Sequence, residues 1–189
     1  MTWQGSVLRV NLTEGSYVVE PLNMEWANDY VGERGLGSKY LVESIDPKVD
    51  PLSPDNALIF ATGPLTGTMA STSGRYAVIT KGPLNGAIAC SNSGGKFGAE
   101  MKFAGYDLIL LEGRASKPCY LLIEDESISF EDAEPIWGQS VWKTEEWIRN
   151  QHNNPKLRIA SIGVAGEKGV RYASVINDLH RAAGRSGVG

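Results

Sequence analysis

The chain has 189 residues, of which 42% are hydrophobic and 21% charged, and a net charge of −4. These values read as a globular chain with a sizeable core, either one large domain or one domain of a longer enzyme. They leave no basic field that would favour nucleic acid or anionic lipid, so any positive charge with a function must be concentrated locally.

The N-terminal stretch "MTWQGSVLRVNL" lacks a charged segment followed by an apolar run, so no signal peptide is expected. The longest apolar runs, "LILL" and "YLLI", are far too short to cross a bilayer, and a cytoplasmic protein is the expectation. "SVLRVNL" alternates, with Val7, Arg9 and Asn11 on one side and Leu8, Val10 and Leu12 on the other; with "SYVVEPL" it predicts a hairpin. "LGSKYLVESI" places Leu36, Tyr40 and Leu41 at helical spacing and stops before Asp46-Pro47.

"ALIFATG", "RYAVITKG" and "AIACSN" read as strands, each running toward a glycine-rich turn. "KFGAEMKFAGY" sets Phe97, Met101 and Ala104 on one helix face. "DLILLEG" and "CYLLIEDESISF" supply three more strands, and "VWKTEEWIRNQH" a helix with Val141, Thr144 and Ile148 as its stripe. "LRIASIG" and "GVRYASVIN" return to strand character. Many short strands, few helices and no regular β-α alternation predict an α+β fold in a single domain spanning residues 1–189.

Cys90 and Cys119 are the only cysteines. They form no C-x-x-C, so no iron–sulfur or zinc site can be built from them alone, and two buried, reduced thiols are expected.

One pattern recurs. "ATGPLTG" from Ala61 and "SIGVAGE" from Ser161 each follow a strand; "RYAVI" from Arg75 and "RYASVI" from Arg171 come next. A small, glycine-rich segment ends each unit, "SNSGGKFG" and "RAAGRSGVG". The spacings differ by a few residues, so chance in a glycine-rich chain and a true duplication both account for it. A duplication would turn two loops toward one ligand with two similar halves.

The loops have chemistry to offer. Asn92 or Ser93 is placed to cap the helix that follows, and Gly94 and Gly95 let a ligand approach the main chain. Free N–H groups at that helix start would attract an anion, and Arg75 nearby suits phosphate or a flat heterocycle. Arg181 and Arg185 would share a face if their segment were helical, with Ala182, Ala183 and Gly184 exposing backbone between them. The plain alternative is a pair of structural turns with solvated arginines. Neither loop is a Walker loop or a G-x-G-x-x-G. His180 reads as a structural hydrogen-bonder, since Asp178 is the only carboxylate close to it in sequence.

"LIFATGPLTGTMASTSGRYAVITKGPL", "ACSNSGGKFGAEMKFAGYD" and "NDLHRAAGRSGVG", in that order, resemble the N-terminal domain of the tungsten-dependent aldehyde:ferredoxin oxidoreductase family. The resemblance runs from "VLRVNL" to Gly189. It implies two β-sheets related by an approximate twofold, forming the base on which a bis-pterin tungsten cofactor (tungstopterin) rests, with Mg²⁺ bridging the pterin phosphates. Carried over by motif, the cofactor contacts fall on Arg75, Asn92, Gly94, Arg181, Ala182, Gly184 and Arg185, and the carbonyls of Asn92 and Ala182 hold the magnesium. The implied reaction oxidises an aldehyde to a carboxylic acid and delivers electrons through a [4Fe-4S] cluster to ferredoxin. Family members are several times longer, and some use other substrates or molybdenum. The cluster cysteines, and the acid and histidine near the metal, belong to later domains. The 189 residues are therefore expected to be a piece of a longer enzyme, with a homo-oligomer among its expected assemblies, and to be inactive alone. A phospholigand-binding module without redox chemistry, and a structural or oligomerisation domain, are the competing readings.

Overall fold

The computed structural model describes residues 2–189. The N-terminal hairpin forms as expected, β1 (Ser6–Asn11) pairing antiparallel with β2 (Ser16–Pro21). Two helices follow, α1 (Met24–Tyr30) and α2 (Glu33–Ser44). The sequence showed only the second, because seven residues are too few for an apolar stripe to stand out. Asn23 starts α1 by accepting a hydrogen bond from Trp26 N at 3.0 Å. α2 stops before Asp46-Pro47, as the proline requires.

β3 (Ala57–Thr62), β4 (Tyr76–Lys81) and β5 (Ile88–Ser93) make an antiparallel meander. Then come α3 (Phe97–Phe103) and β6 (Leu108–Glu112). The six-stranded sheet has the order β2-β1-β6-β3-β4-β5, and within it β6 runs parallel to β1. Alternate residues of each strand feed opposite cores, as a pleat dictates. Val7, Ile59, Ile79 and Leu110 pack with Leu36 and Leu41 of α2. Leu8, Phe60, Val78 and Ile109 face the other way, toward Met101 of α3 and Val175.

β7 (Cys119–Glu124) and β8 (Ser127–Asp132) form a separate hairpin, followed by α4 (Val141–Gln151). The buried stripe of α4 is Thr144, Glu145 and Ile148, so a carboxylate takes a core position that the apolar spacing did not reveal.

The last part is a second antiparallel meander: β9 (Ala160–Ser161), β10 (Val175–Asn177) and β11 (Arg181–Ala183), with a short α5 (Val164–Glu167) between the first two. Strand structure is shorter here than the sequence pattern suggested, and Arg171 lies before β10 rather than on it. The topology nevertheless repeats that of β3-β4-β5. The two closing strands, β5 and β11, pack beside each other. Ser91 Oγ donates to the Gly184 carbonyl, and Ser186 Oγ donates to the Cys90 carbonyl at 3.2 Å. The fold is α+β. No helix among the described residues is long and apolar enough to cross a membrane.

Candidate functional site

Where the two meanders close, their glycine-rich ends face a common cavity of about 520 Å³. Arg75, Asn92 and Gly94 line it from the first meander, and Arg181 and Ala182 from the second. Five of the seven residues singled out in the sequence thus meet at one place. Gly184 and Arg185 stand just outside the lining. The Gly184 carbonyl is occupied by Ser91, and Arg185 is exposed in the left-handed region at φ 72°. The terminal segment is therefore not helical: Arg181 sits on a strand, and the shared face that helical spacing offered does not form.

Arg75 immediately precedes β4, and its main chain is pinned. The buried Thr66 hydroxyl donates to the Arg75 carbonyl at 2.9 Å and accepts from Gly63 N at 3.0 Å. The "ATGPLTG" turn, whose role was open in the sequence, thus sets where the Arg75 side chain starts.

Asn177 and Asp178 organise the rest. Asn177 is fully buried; its Oδ1 accepts from Tyr76 OH at 2.9 Å and from Ser93 Oγ at 2.6 Å. Its Nδ2 donates to the Gly94 carbonyl and to Asp178 Oδ2, both at 2.9 Å. Every polar atom of this amide is used, as a buried amide requires. Burial pushes the Tyr76 phenol far above its ordinary range, so it stays a neutral donor. Sequence reasoning passed over Asn177 and weighed Asp178 only as a neighbour of His180, although they open the quoted "NDLHRAAGR". The available signal was local: Asp tolerates left-handed backbone, and Asp178 has φ 46° with Leu179 at 64°.

Asp178 also overturns the expected helix cap. Asn92 and Ser93 lie within β5, with their side chains committed to Glu33 and Asn177. Lys96 N at the start of α3 donates instead to Asp178 Oδ2 at 2.7 Å. A carboxylate from the second meander fills the anion position that the helix start would have offered a ligand. Gly95 makes this possible, since its φ is 97° and a Cβ there would collide with Asp178 Oδ2. Gly94 differs: a Cβ would meet nothing within 4 Å, so its backbone faces open space.

His180 lines the same cavity. Its side chain is exposed and accepts at Nδ1 from Trp142 Nε1 at 3.4 Å, consistent with a structural contact. Glu33, at the first turn of α2, accepts from Asn92 Nδ2 at 3.1 Å. Burial pushes the Glu33 carboxyl up, opposed by the guanidinium groups of Arg75 and Arg34 and by the Asn92 hydrogen bond. Cys90 and Cys119 are free and only half-buried, and burial raises both thiols.

The cavity therefore combines two arginines, exposed main chain at Gly94 and small residues at Ala182, on a rigid polar network. A flat ligand carrying negative charge fits these features.

Comparison with known proteins shows the family of the chain. The sequence model of the family described as "Aldehyde ferredoxin oxidoreductase, N-terminal domain" matches residues 7–189. The tungsten-containing aldehyde ferredoxin oxidoreductase of Pyrococcus abyssi is 56% identical over 185 residues, covering 98% of this chain and 30% of the relative. An aliphatic sulfonate oxidoreductase, WOR-like subunit, of Pyrococcus furiosus is 32% identical, covering 99% of this chain and 32% of the relative. Among solved structures, the active site complex BamBC of benzoyl coenzyme A reductase superimposes with a TM-score of 0.96 at 36% identity, covering 99% of this chain and 28% of that one. The chain thus spans about a third of the length of the relatives it matches. It belongs to the aldehyde ferredoxin oxidoreductase family, as the family's N-terminal domain.

Proposed function

We propose that this chain is the cofactor-seating domain of a tungsten enzyme that oxidises aldehydes to carboxylic acids with ferredoxin as acceptor, in the cytoplasm. The observation that carries the reading is the convergence of Arg75, Asn92 and Gly94 with Arg181 and Ala182 on one cavity. The residues present fit a bis-pterin carrying phosphates. Arg75 and Arg181 offset its charge, each charge-assisted contact contributing about 1.5–3 kcal/mol net. Gly94 and Ala182 leave room for flat rings, and Gly184 and Arg185 lie close by on the chain as a second rank of contacts. Carbonyl oxygens at Asn92 and Ala182 are hard donors suited to Mg²⁺.

When bound, the tungsten dithiolene centre supplies the redox chemistry. This domain's own residues bind and orient. The Asn177 network holds the Gly94 loop against β10, so that this part of the seat need not reorganise on binding. The implied [4Fe-4S] cluster draws its ligands from elsewhere in the longer enzyme. Relatives named for an aldehyde, a sulfonate and a benzoyl thioester share this domain, which supports a task common to them, with substrate choice made by other parts.

The test is metal and pterin analysis of the full-length enzyme. Tungsten and pterin fluorescence are expected in the wild type, and Arg75→Ala and Arg185→Ala lower both more than they lower Tm. A well-folded, metal-free wild type would leave a phospholigand module or a structural domain as the better reading. The domain alone is expected to show no aldehyde-dependent dye reduction.

A further inference from the structure

Behind the cavity, a strained glutamate is hydrogen-bonded to Asn92, one of the residues that line it. Val31 and Glu33 have φ of 63° and 43°, in the left-handed region that side chains other than glycine avoid. Gly32 between them has no room for a side chain, since a Cβ would stand 2.9 Å from Trp3 and 3.0 Å from Gly63 Cα. That close approach carries the start of α2 onto the turn beneath Arg75. Such backbone cost concentrates at positions a site requires.

The side chain delivered there has a defined target. Glu33 Oε2 accepts from Asn92 Nδ2 at 3.1 Å, and the Arg75 guanidinium is the strongest charge acting on the Glu33 carboxyl. Arg34 and Cys90 are the other titratable groups around it. Glu33 is not part of the cavity lining, so it touches no ligand there. Its effect passes through Asn92, whose amide donates to it.

On the reading of the cavity as a pterin seat, we propose that Glu33 is a positioning residue: its hydrogen bond anchors the Asn92 side chain, so that the Asn92 main chain is fixed at the cavity before the ligand arrives. Outer partners of this kind commonly change metal affinity or activity by roughly tenfold or more when removed.

The sign of the response distinguishes this role from simple charge. Glu33 is an acid near a site for an anion, so pure electrostatics predicts tighter binding when it is neutralised. Positioning predicts weaker binding when its side chain is removed.

In the full-length enzyme, Glu33→Gly removes the side chain and also relieves the left-handed backbone. The expected result is an unchanged or higher Tm with tungsten and pterin per protein lowered by roughly tenfold. Glu33→Gln, whose side-chain oxygen can still accept from Asn92, is expected to fall between Glu33→Gly and wild type. Wild-type loading in Glu33→Gly, loading above wild type in Glu33→Gln, or a loss of loading only in step with a lower Tm would each overturn the positioning role alone. A wild type lacking tungsten and pterin would overturn the seat itself, and this proposal with it.

Discussion

Asn177 of the second meander donates from Nδ2 to the main-chain carbonyl of Gly94 in the first, at 2.9 Å. This bond joins the two glycine-rich ends across 83 residues of chain. The same amide satisfies two buried hydroxyls, Tyr76 and Ser93. Neither half of the duplicated pattern builds the cavity by itself.

Replacing Asn177 with Leu strands both hydroxyls, and each unsatisfied buried group costs about 1–3 kcal/mol. We expect Asn177→Leu to destabilise by about 3–5 kcal/mol, read from the denaturant midpoint at constant m. Tyr76→Phe should cost about 1 kcal/mol in the wild type and recover about 1 kcal/mol or more in the Asn177→Leu background, where it removes a hydroxyl that has already lost its partner. Equal effects in both backgrounds would dismiss the network.

Adjacent glycines should behave oppositely. Gly95→Ala forces a methyl onto Asp178 Oδ2 at φ 97° and is expected to lower Tm sharply. Gly94→Ala adds a methyl to open space and should change stability by less than about 0.5 kcal/mol, yet lower cofactor loading by filling the cradle. Thermal melts combined with tungsten analysis of both variants check this; a stable Gly95→Ala protein would refute the first half.

Lys102 and Asp107 form an ion pair at 2.7 Å with side chains only 3% and 0% exposed. The ammonium also donates to the Thr2 carbonyl, and Asp107 accepts from Gly5 N, both at 2.7 Å. Lys102→Met leaves a buried carboxylate uncompensated, and we expect a loss of about 3–5 kcal/mol. Adding Asp107→Asn should recover part of it, because the amide oxygen can still accept from the N-terminal main chain. Failure of the double variant to improve on Lys102→Met would argue against charge as the cause.

Glu33 gives a pH signature. Its carboxyl is raised above its ordinary value of 4.5, with burial the main cause. A raised acid contributes its full stability below that ordinary value and loses it as pH climbs through the folded-state value. Glu33→Gln cannot ionise, so wild type should lose stability relative to Glu33→Gln as pH rises above the ordinary carboxylate value of 4.5. Parallel Tm profiles for the two proteins would contradict this.

Much of this protein was readable along the chain. Strands β1 to β8 follow from apolar alternation and glycine punctuation, and α2 ends where Asp46-Pro47 demands. Arg75, Asn92, Gly94, Arg181 and Ala182 were singled out by their place in or beside glycine-rich loops, and the family resemblance assigned them as cofactor contacts. α1 was missed for want of length. The cap of α3 was misassigned because Asp178 lies 82 residues away from Lys96 in sequence. Local rules assign a helix cap to a neighbour, and here the partner is distant.

By itself the amino-acid order determined the α+β class, the repeated strand-and-loop pattern and the residue types able to hold an anion, since these depend on near-neighbour periodicity and side-chain chemistry. Only the tertiary structure decided that β5 and β11 lie together, that Asn177 and Asp178 lock the glycine loop, and that Glu33 stands behind Asn92 and Arg75. Those contacts join segments separated by tens of residues, and their geometry comes from packing the two meanders around shared cores, which no local pattern encodes.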